Sequence, residues 1–283
     1  MRILAFSDVP KWDGYERLVD RYKPDVVALA GDLTSDGHAA FWGEALESIP
    51  GYRRQLEALG RSGKLNDEWL NLKGRYRHTN AYRTALAALR AIHERRFYRF
   101  LRHAGKVSRV LVVKGDHDND FAGNYDPKRI DKIPGCREIS GKTFTLNKVV
   151  FLGLGFRQAG YRRILRRFIS DFKGRVGIVI AHAPQKNVQL IAELKPRLLI
   201  RGHFAGGRYI IDGIPTVFTS GGHAVIQMGR KGLPRIRQPG HEVDWEQASA
   251  WLQDYPWLQP YRDFRLRAAN QIRTLRDRCC RTP

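Results

Sequence analysis

Residues 23–34 read KPDVVALAGDLT, with apolar residues at 26–30 between a Lys-Pro pair and a Gly-Asp pair. Proline interrupts regular structure, so Lys23-Pro24 marks a break before the apolar run. A short apolar run bounded by such turn signals is typical of a buried strand. We therefore predict a strand at residues 26–30 that ends at Gly31-Asp32.

Similar apolar runs recur along the chain and alternate with longer amphipathic stretches. This alternation predicts an α/β protein. The predicted strands are residues 3–6, 26–30, 110–113, 149–154, 176–181 and 198–200, and a helix is predicted at 15–22. Runs at 209–211 and 216–219 flank Asp212-Gly213, which indicates a β-hairpin.

Between the second and third predicted strands, the stretch 36–106 spans roughly seventy residues, far more than an ordinary βα connection. Residues 81–103 carry apolar side chains at helical spacing, with basic residues between them. This periodicity predicts a long helix. We expect a helical insertion over residues 36–106 within a domain of residues 1–240, followed by a basic helical extension at 241–283.

The charge of the chain is strongly asymmetric, because 50 Lys and Arg against 28 Asp and Glu give a net charge of +22. Hydrophobic residues make up 42% of the sequence, which excludes a mainly disordered protein. A basic surface attracts polyanions such as nucleic acid, anionic lipid or phosphorylated small molecules. Arg-rich composition also arises from genome bias or heat adaptation, so the charge alone leaves the partner open.

The cysteines bear on the cellular compartment. Cys136, Cys279 and Cys280 form neither a disulfide framework nor a CxxC metal motif, which fits a reducing cytoplasm. No apolar run reaches the length of about 20 residues needed to span a bilayer. The N-terminal MRILAFSD contains an acidic residue too early for a signal peptide. These features predict a cytoplasmic protein without a membrane span.

Several predicted strands end in residues that can ligate metals. In chain order these are Asp8, Asp32, Asp116-His117-Asp118, His182 and His203. A single strand-end Asp is usually a helix cap or turn residue, but five strand ends with Asp or His are not explained by capping. In an α/β fold the carboxyl ends of neighbouring strands converge on one crevice. Glycine directly precedes Asp32, Asp116 and His203, and we expect it to allow the turn that directs each side chain inward.

These residue types favour one kind of chemistry. Mixed imidazole and carboxylate ligands indicate a site for Mn, Fe or Zn rather than a thiolate site. Two nearby metal ions bridged by one carboxylate are a common device for in-line displacement at phosphorus. The strand ends therefore indicate a metal centre with oxygen and nitrogen ligands.

In their order and context, Asp8, Gly31-Asp32, Gly115-Asp116-His117-Asp118, His182 and Gly202-His203 resemble the motifs of the calcineurin-like metallophosphoesterases. The motifs of that superfamily run DxH, GDxx, GNH[DE], a single His and GHxH. The resemblance covers residues 1 to about 220, interrupted by the insertion. It implies a four-layer β-sandwich flanked by helices, with metal ions at the carboxyl end of the sheets.

The resemblance also implies roles for the matching residues. Asp8 corresponds to a ligand of a first metal ion and Asp32 to the carboxylate that bridges two ions. The second ion would take three further ligands, Asp116, His182 and His203. His117 corresponds to a histidine that contacts the phosphate and assists the leaving group, and Asp118 would orient its imidazole. The implied cofactor is a divalent ion, for which we expect Mn²⁺, with Fe or Zn as alternatives.

The sequence departs from the family pattern mainly around the first ion. Pro10 stands in place of the DxH histidine and Ala205 in place of the second histidine of GHxH, and neither side chain can ligate a metal. Asp116 replaces an Asn but still offers an oxygen. We therefore expect one firmly held ion, bound by Asp32, Asp116, His182 and His203. The first position is empty, weakly filled or completed by another residue, the nearest candidates being Asp13, His38 and His223.

Clusters of basic residues leave two interpretations open. Their members are Arg157, Arg162, Arg163, Arg166 and Arg167; Arg230, Lys231, Arg235 and Arg237; and Arg75, Arg77, Arg95, Arg96 and Arg99. They form either solvated faces of amphipathic helices or a positive rim that holds a polyphosphate or a nucleic-acid backbone. The interleaved aromatic residues either stack bases or pack the core, namely Tyr76, Tyr82, Phe97 and Tyr98.

Together these features favour a divalent-metal-dependent phosphoesterase that hydrolyses a phosphate monoester or diester with metal-activated water. The substrate would then be a phosphorylated molecule. The alternative is a catalytically weak or inactive protein that keeps the fold and binds nucleic acid or another polyanion. A nuclease is a third possibility, motivated by the net charge, and at the level of sequence all three remain open.

Overall fold

The computed structural model describes residues 1–9, 12–34, 44–62, 65–116, 118, 125–155, 161–172, 176–182, 188–205, 207–211, 214–220, 222–229 and 234–238. The chain divides into two compact units, residues 1–241 and 242–283. All described residues belong to the first unit. The predicted basic extension at 241–283 lies outside the described residues.

Twelve strands lie within the described residues. They are β1 (Arg2–Phe6), β2 (Val26–Ala30), β3 (Arg109–Val113), β4 (Cys136–Glu138), β5 (Thr143–Leu146), β6 (Val149–Leu154), β7 (Val176–Ala181), β8 (Leu198–Ala205), β9 (Gly207–Ile211), β10 (Ile214–Ser220), β11 (His223–Gln227) and β12 (Arg235–Arg237). The helices are α1 (Tyr15–Tyr22), α2 (Pro50–Arg61), α3 (Leu65–Arg77), α4 (Asn80–Val107), α5 (Pro127–Asp131), α6 (Tyr161–Phe172) and α7 (Val188–Glu193). Among the described helices, none has the length and apolar character needed to cross a membrane.

The strands form two sheets of six strands each. The first sheet has the order β12-β11-β1-β2-β3-β4, in which β1 to β4 run parallel and β11 pairs antiparallel with β1. The second has the order β5-β6-β7-β8-β10-β9, with β6, β7, β8 and β10 parallel and an antiparallel strand at each edge. Parallel strands in the middle of each sheet bring their carboxyl ends to one edge, which places the site.

The two sheets pack face to face around one apolar core. Ala28 from β2 and Leu111 from β3 contribute to this core from the first sheet, and Ile180 from β7 and Ile200 from β8 contribute from the second. β2 is buried along its whole length, as expected for a parallel strand covered on both faces. The contact between the sheets therefore holds the ends of β2, β3, β7 and β8 close together.

Helices cover the outer faces of both sheets. On the first sheet α1 and α4 pack through Val19 and Phe100, and on the second sheet α6 and α7 pack through Leu165 and Ile191. The result is four layers, helix, sheet, sheet and helix. This confirms the α/β sandwich predicted from the sequence.

The helical insertion predicted between the second and third strands is confirmed by α2, α3 and α4, which lie between β2 and β3. The second half of α4 packs on the first sheet, whereas its first half joins α2 and α3 in a separate apolar cluster. The aromatic residues Tyr82, Phe97 and Tyr98 are buried in these two clusters. Tyr76 packs against Tyr52 with ring centroids 5.4 Å apart. These rings pack the protein interior, so the base-stacking interpretation has no support from them.

The six predicted strands correspond to β1, β2, β3, β6, β7 and β8, and β9 and β10 pair antiparallel as the predicted hairpin. Four strands, β4, β5, β11 and β12, give no clear sequence signal. β4 and β12 have three residues each, too few for a pattern, and the other two lie at or near sheet edges. Residues 35–43, at the start of the predicted insertion, lie outside the described residues.

Candidate metal centre

Four side chains meet at the carboxyl ends of the central strands. Asp32 follows β2 and Asp116 follows β3 in the first sheet, while His182 follows β7 and His203 lies in β8 of the second sheet. Each offers one ligand atom, and these four atoms all lie within 4.8 Å of one another. The fold therefore brings together the four residues that the sequence analysis assigned to one ion.

Short contacts join the members of this four-residue cluster. The Nε2 atom of His182 lies 2.6 Å from Oδ1 of Asp116 and 3.2 Å from Oδ2 of Asp32. The Nδ1 atom of His203 lies 3.1 Å from the same Asp116 oxygen and 3.3 Å from His182 Nε2. The side chains of His182 and Asp32 are 0% and 3% exposed, against 17% for Asp116 and 27% for His203. Solvent therefore reaches the cluster from the side of Asp116 and His203.

The orientation of His182 is fixed by the backbone of β2. Its Nδ1 atom lies 2.8 Å from the carbonyl oxygen of Ala30, which can only accept a hydrogen bond. The proton therefore resides on Nδ1, and Nε2 points toward the two carboxylates. A backbone acceptor on the distal ring nitrogen is the usual device for orienting a metal-ligating histidine.

The charges in the cluster shift the pKa values of its members. Burial alone would lower the pKa of His182, but the negative charge of Asp32 and the hydrogen bond with Asp116 raise it well above its ordinary value. Burial would raise the pKa of Asp116, but hydrogen bonds with His182 and His203 hold it far below its usual range. Without a cation, hydrogen bonds and charge interactions between the carboxylates and the imidazoles thus stabilise the cluster.

Three non-glycine residues at this edge have left-handed backbone conformations. Their φ angles are 51° for Asp8, 55° for Asp32 and 72° for His203. Such conformations are unfavourable for residues with a Cβ atom and concentrate at functional sites, where the surrounding structure enforces them. Two of the three residues belong to the four-residue cluster, and the third contacts it.

The glycines that precede Asp32, Asp116 and His203 serve two different purposes. Gly31 has a φ of 86°, as the predicted turn requires. Gly115 and Gly202 have no positive φ, so the turn expected there is wrong. They are needed for space: a Cβ on Gly115 would collide with the backbone N and Oδ1 of Asp32, and one on Gly202 would lie 2.7 Å from Oδ2 of Asp8.

Asp118 joins the loops that follow β2 and β3. Its Oδ1 accepts hydrogen bonds from the backbone N–H groups of Leu33 (2.7 Å) and Thr34 (2.9 Å), and its Oδ2 accepts from Asp32 (3.0 Å) and Gly115 (2.7 Å). Burial and the charge of Asp32 raise the pKa of this carboxyl group despite these bonds. The sequence pattern gives no sign of this role, because three of the four donors lie 84 to 86 residues away.

Asp8 lies beside the four-residue cluster. Its Oδ2 accepts a hydrogen bond of 2.9 Å from the backbone N–H of His203, and its side chain is buried. Within the described residues, the group that can hold an ion consists of Asp32, Asp116, His182 and His203, without Asp8. The assignment of Asp8 to a first ion stays a prediction, and Asp8 contacts the cluster through the backbone of His203.

Two of the three other candidates for the first position, Asp13 and His223, lie within the described residues and have other contacts. The Oδ2 atom of Asp13 forms an ion pair of 2.7 Å with Arg96. His223 packs against the rings of Phe6 and Tyr22, with centroids 6.2 and 5.8 Å apart. Pro10, His38 and His117 lie outside the described residues, so the predicted role of His117 stays a prediction as well.

The donors of the cluster fit a divalent transition metal. Two carboxylates and two imidazoles supply oxygen and nitrogen in the mixture that Mn, Fe and Zn accept. Because the four ligand atoms lie close together, a single cation can bind all of them. The candidate site is therefore a metal centre at the carboxyl edge of an α/β sandwich.

The comparison with protein families agrees with this class. A family profile described as calcineurin-like phosphoesterase matches residues 1–206, and the chain accordingly belongs to the calcineurin-like phosphoesterase family. The family confirms the resemblance stated from the strand-end motifs. At the level of the family, it makes the chain a metal-dependent phosphoesterase.

A comparison with curated proteins gave no match. Among solved structures, the crystal structure of TT1561 of Thermus thermophilus is 13% identical, with a TM-score of 0.48, and the match covers 84% of this chain and 98% of that one. Another solved structure is 14% identical with a TM-score of 0.49 and the same coverage.

Proposed function

We propose that the protein hydrolyses a phosphate monoester or diester with the help of one firmly held divalent ion, which we expect to be Mn²⁺, with Fe or Zn as alternatives. The observation that carries this proposal is the four-residue cluster, whose ligand atoms lie within 4.8 Å of one another. Membership of the calcineurin-like phosphoesterase family supports the reaction class. A divalent ion bound there supplies a water of lowered pKa and neutralises phosphate oxygens.

The residues of the chain prepare the site for this reaction. Asp32, Asp116, His182 and His203 hold the ion, and Asp118 keeps the loops after β2 and β3 in register. The partly exposed side of Asp116 and His203 is the side from which a phosphate can approach. We assign His117, the residue after Asp116, to the substrate: its imidazole contacts the phosphate and gives a proton to the leaving oxygen.

A single ion is favoured over two because two side chains expected to ligate an ion at the first position are missing. Pro10 and Ala205 offer no ligand to an ion at the first position. The expected stoichiometry is therefore one ion per chain, measured by elemental analysis of protein purified without a chelator.

The direct test is an assay of the purified protein on nitrophenyl phosphate and bis-nitrophenyl phosphate, with Mn²⁺ added after chelator treatment. We expect turnover that Asp32→Ala and His203→Asn abolish. Asp13→Asn is the matched control, because Asp13 is a half-exposed acid that pairs with Arg96 outside the cluster. Absence of turnover with every divalent ion, together with unchanged behaviour of Asp32→Ala, contradicts the proposal.

The second candidate function is binding without hydrolysis. It is favoured by Pro10 and Ala205, which stand where the family has ligand histidines. A binding protein of this kind retains its affinity for a polyanion in chelator and shows no turnover with any divalent ion. The same purified protein, tested with and without Mn²⁺, distinguishes the two functions.

A further inference from the structure

Helix α6, which covers the outer face of the second sheet, exposes a cluster of positive charges. Helix α6 packs its apolar side, including Leu165 and Phe168, onto the outer face of that sheet. Its opposite side exposes four arginines, Arg162, Arg163, Arg166 and Arg167. We call these four residues the α6 arginine face. Asp171 is the acidic residue of the helix, and it pairs with Arg167 at 3.5 Å.

Two arginines of α4 have acidic partners, which three of the α6 arginines lack within the described residues. On α4, Arg96 pairs with Asp13 at 2.7 Å and Arg99 pairs with Glu16 at 3.0 Å. In the part of the chain that the structure describes, Arg162, Arg163 and Arg166 form no ion pair. The interpretation as an ordinary solvated face with local acidic partners therefore fits Arg96 and Arg99 and does not fit Arg162, Arg163 and Arg166.

The arrangement on α6 is also unfavourable for the helix itself. Arg162 and Arg166, like Arg163 and Arg167, are four residues apart, and like charges at this spacing destabilise a helix. Arg162 and Arg163 lie in the first turn, where the helix dipole disfavours positive charge, and that turn contains no acidic residue. A polyanion bound across the face relieves both repulsions.

The α6 arginine face begins at the edge of the second sheet that carries the metal centre. β6 and β7 are parallel neighbours, and Leu154 at the end of β6 pairs with Ala181, the residue before His182. A helix that connects two parallel strands starts at the carboxyl end of the first and runs back along the sheet. Arg162 and Arg163, in the first turn, therefore lie toward the same edge as His182.

We propose that the α6 arginine face binds the phosphate backbone of a nucleic acid. Guanidinium groups match phosphate geometry through paired hydrogen bonds, and a row of them along a helix suits a ligand with repeated phosphates. An anionic membrane fits less well. Binding to a membrane surface uses apolar side chains beside the basic ones, whereas Phe168 and Ile169 of α6 pack against the sheet core.

The proposal concerns binding and is independent of hydrolysis. The test is titration of a labelled single-stranded oligonucleotide, and of its duplex, by fluorescence anisotropy in chelator at a series of salt concentrations. For the triple variant R162Q/R163Q/R166Q we expect at least about tenfold weaker binding and a salt slope reduced by about 2 to 3, since each phosphate contact contributes a little under 1. R162K/R163K/R166K keeps the charge and should retain most of the slope.

The matched control is R53Q/R96Q/R99Q, which removes the same charge from arginines that have acidic partners. It should leave the salt slope almost unchanged. Equal losses in the two triple variants, or no loss in the α6 variant, overturn the proposal. The proposal is also overturned if R162Q/R163Q/R166Q loses binding to phosphatidylserine vesicles while its oligonucleotide binding persists. If the triple variant fails to fold by circular dichroism, R162Q, R163Q and R166Q measured singly give the same test in steps of about 1 in slope.

Discussion

The carboxylate of Asp8 accepts a hydrogen bond of 2.9 Å from the backbone N–H of His203, which is 195 residues later in the chain. Both residues have positive φ angles, 51° and 72°. The bond joins the end of β1 in one sheet to β8 in the other, and so fixes a residue whose side chain lies 3.1 Å from Asp116. We infer that Asp8 acts on the metal centre as a positioning residue.

Replacement of Asp8 by alanine should weaken metal binding without changing its stoichiometry. Loss of a residue that orients a ligand typically costs about 10- to 100-fold in metal affinity. Asp8→Asn retains an acceptor oxygen and should cost much less. Calorimetric titration with Mn²⁺ measures both quantities. A fall from two bound ions to one in Asp8→Ala would show instead that Asp8 ligates an ion directly.

The close approach of the loops after β2 and β3 depends on Gly115. A Cβ atom there collides with the backbone N and the side chain of Asp32. We expect Gly115→Ala to lower the free energy of unfolding by about 2 to 3 kcal/mol, since backbone atoms must move, and to weaken metal binding as well. Urea unfolding and metal titration measure the two effects.

Gly74 provides the matched control for that substitution. It lies within α3, and a Cβ atom there meets nothing within 4 Å. Gly74→Ala should therefore stabilise the protein by about 0.5 to 1 kcal/mol, because alanine loses less backbone entropy in a helix. Equal effects of the two substitutions would contradict the role assigned to Gly115.

The central strands and the four-residue cluster could be predicted from the sequence because their signals are local. The buried parallel strand β2 has a continuous apolar run, and Gly31-Asp32 follows it directly. The edge strands β5 and β12 are less buried and give no such run. The sequence therefore predicts the centre of each sheet better than its edges.

The support of the site could not be predicted, because it depends on contacts between distant residues. The bond between Asp8 and His203 and the bonds from Leu33 and Thr34 to Asp118 cross 84 to 195 residues. The turn expected at Gly115 and Gly202 is wrong for the same reason. A strand-end glycine looks identical in sequence whether it supplies a positive φ or the space for a neighbouring chain.

Asp118 should contribute strongly to stability, because its carboxylate accepts hydrogen bonds from four backbone N–H groups. In Asp118→Asn one oxygen becomes an NH₂ group that faces donors, so at least two buried N–H groups lose their acceptor. We expect a loss of about 3 kcal/mol in the free energy of unfolding. Asp126→Asn is the control, since exposed Asp126 accepts from Lys128 at a helix N-terminus, where Asn is equally suitable. Similar stabilities of the two variants in urea would contradict this role.

Metal binding and protonation should compete at His182. Its pKa in the metal-free protein is raised above the ordinary histidine value, so it is charged near neutral pH, whereas a metal ligand must be neutral. Binding of one ion near neutral pH should therefore release about one proton, and affinity should fall as the pH falls. Titration calorimetry in buffers of different ionisation enthalpy measures the released proton.

The same shift predicts opposite pH dependences of stability with and without metal. A raised histidine pKa stabilises the folded state fully below the unfolded value, and this stability is lost as the pH rises through the folded value. Without metal, the Tm should therefore fall as the pH rises above the ordinary histidine pKa of about 6.5, while the increase in Tm caused by Mn²⁺ should grow in the same direction. In His182→Asn, the side-chain amide can still donate a hydrogen bond to Ala30 but cannot take up a proton. The metal-free Tm of this variant should therefore vary less with pH. A metal-free Tm that does not change with pH in the unsubstituted protein would refute the assignment of a charged His182.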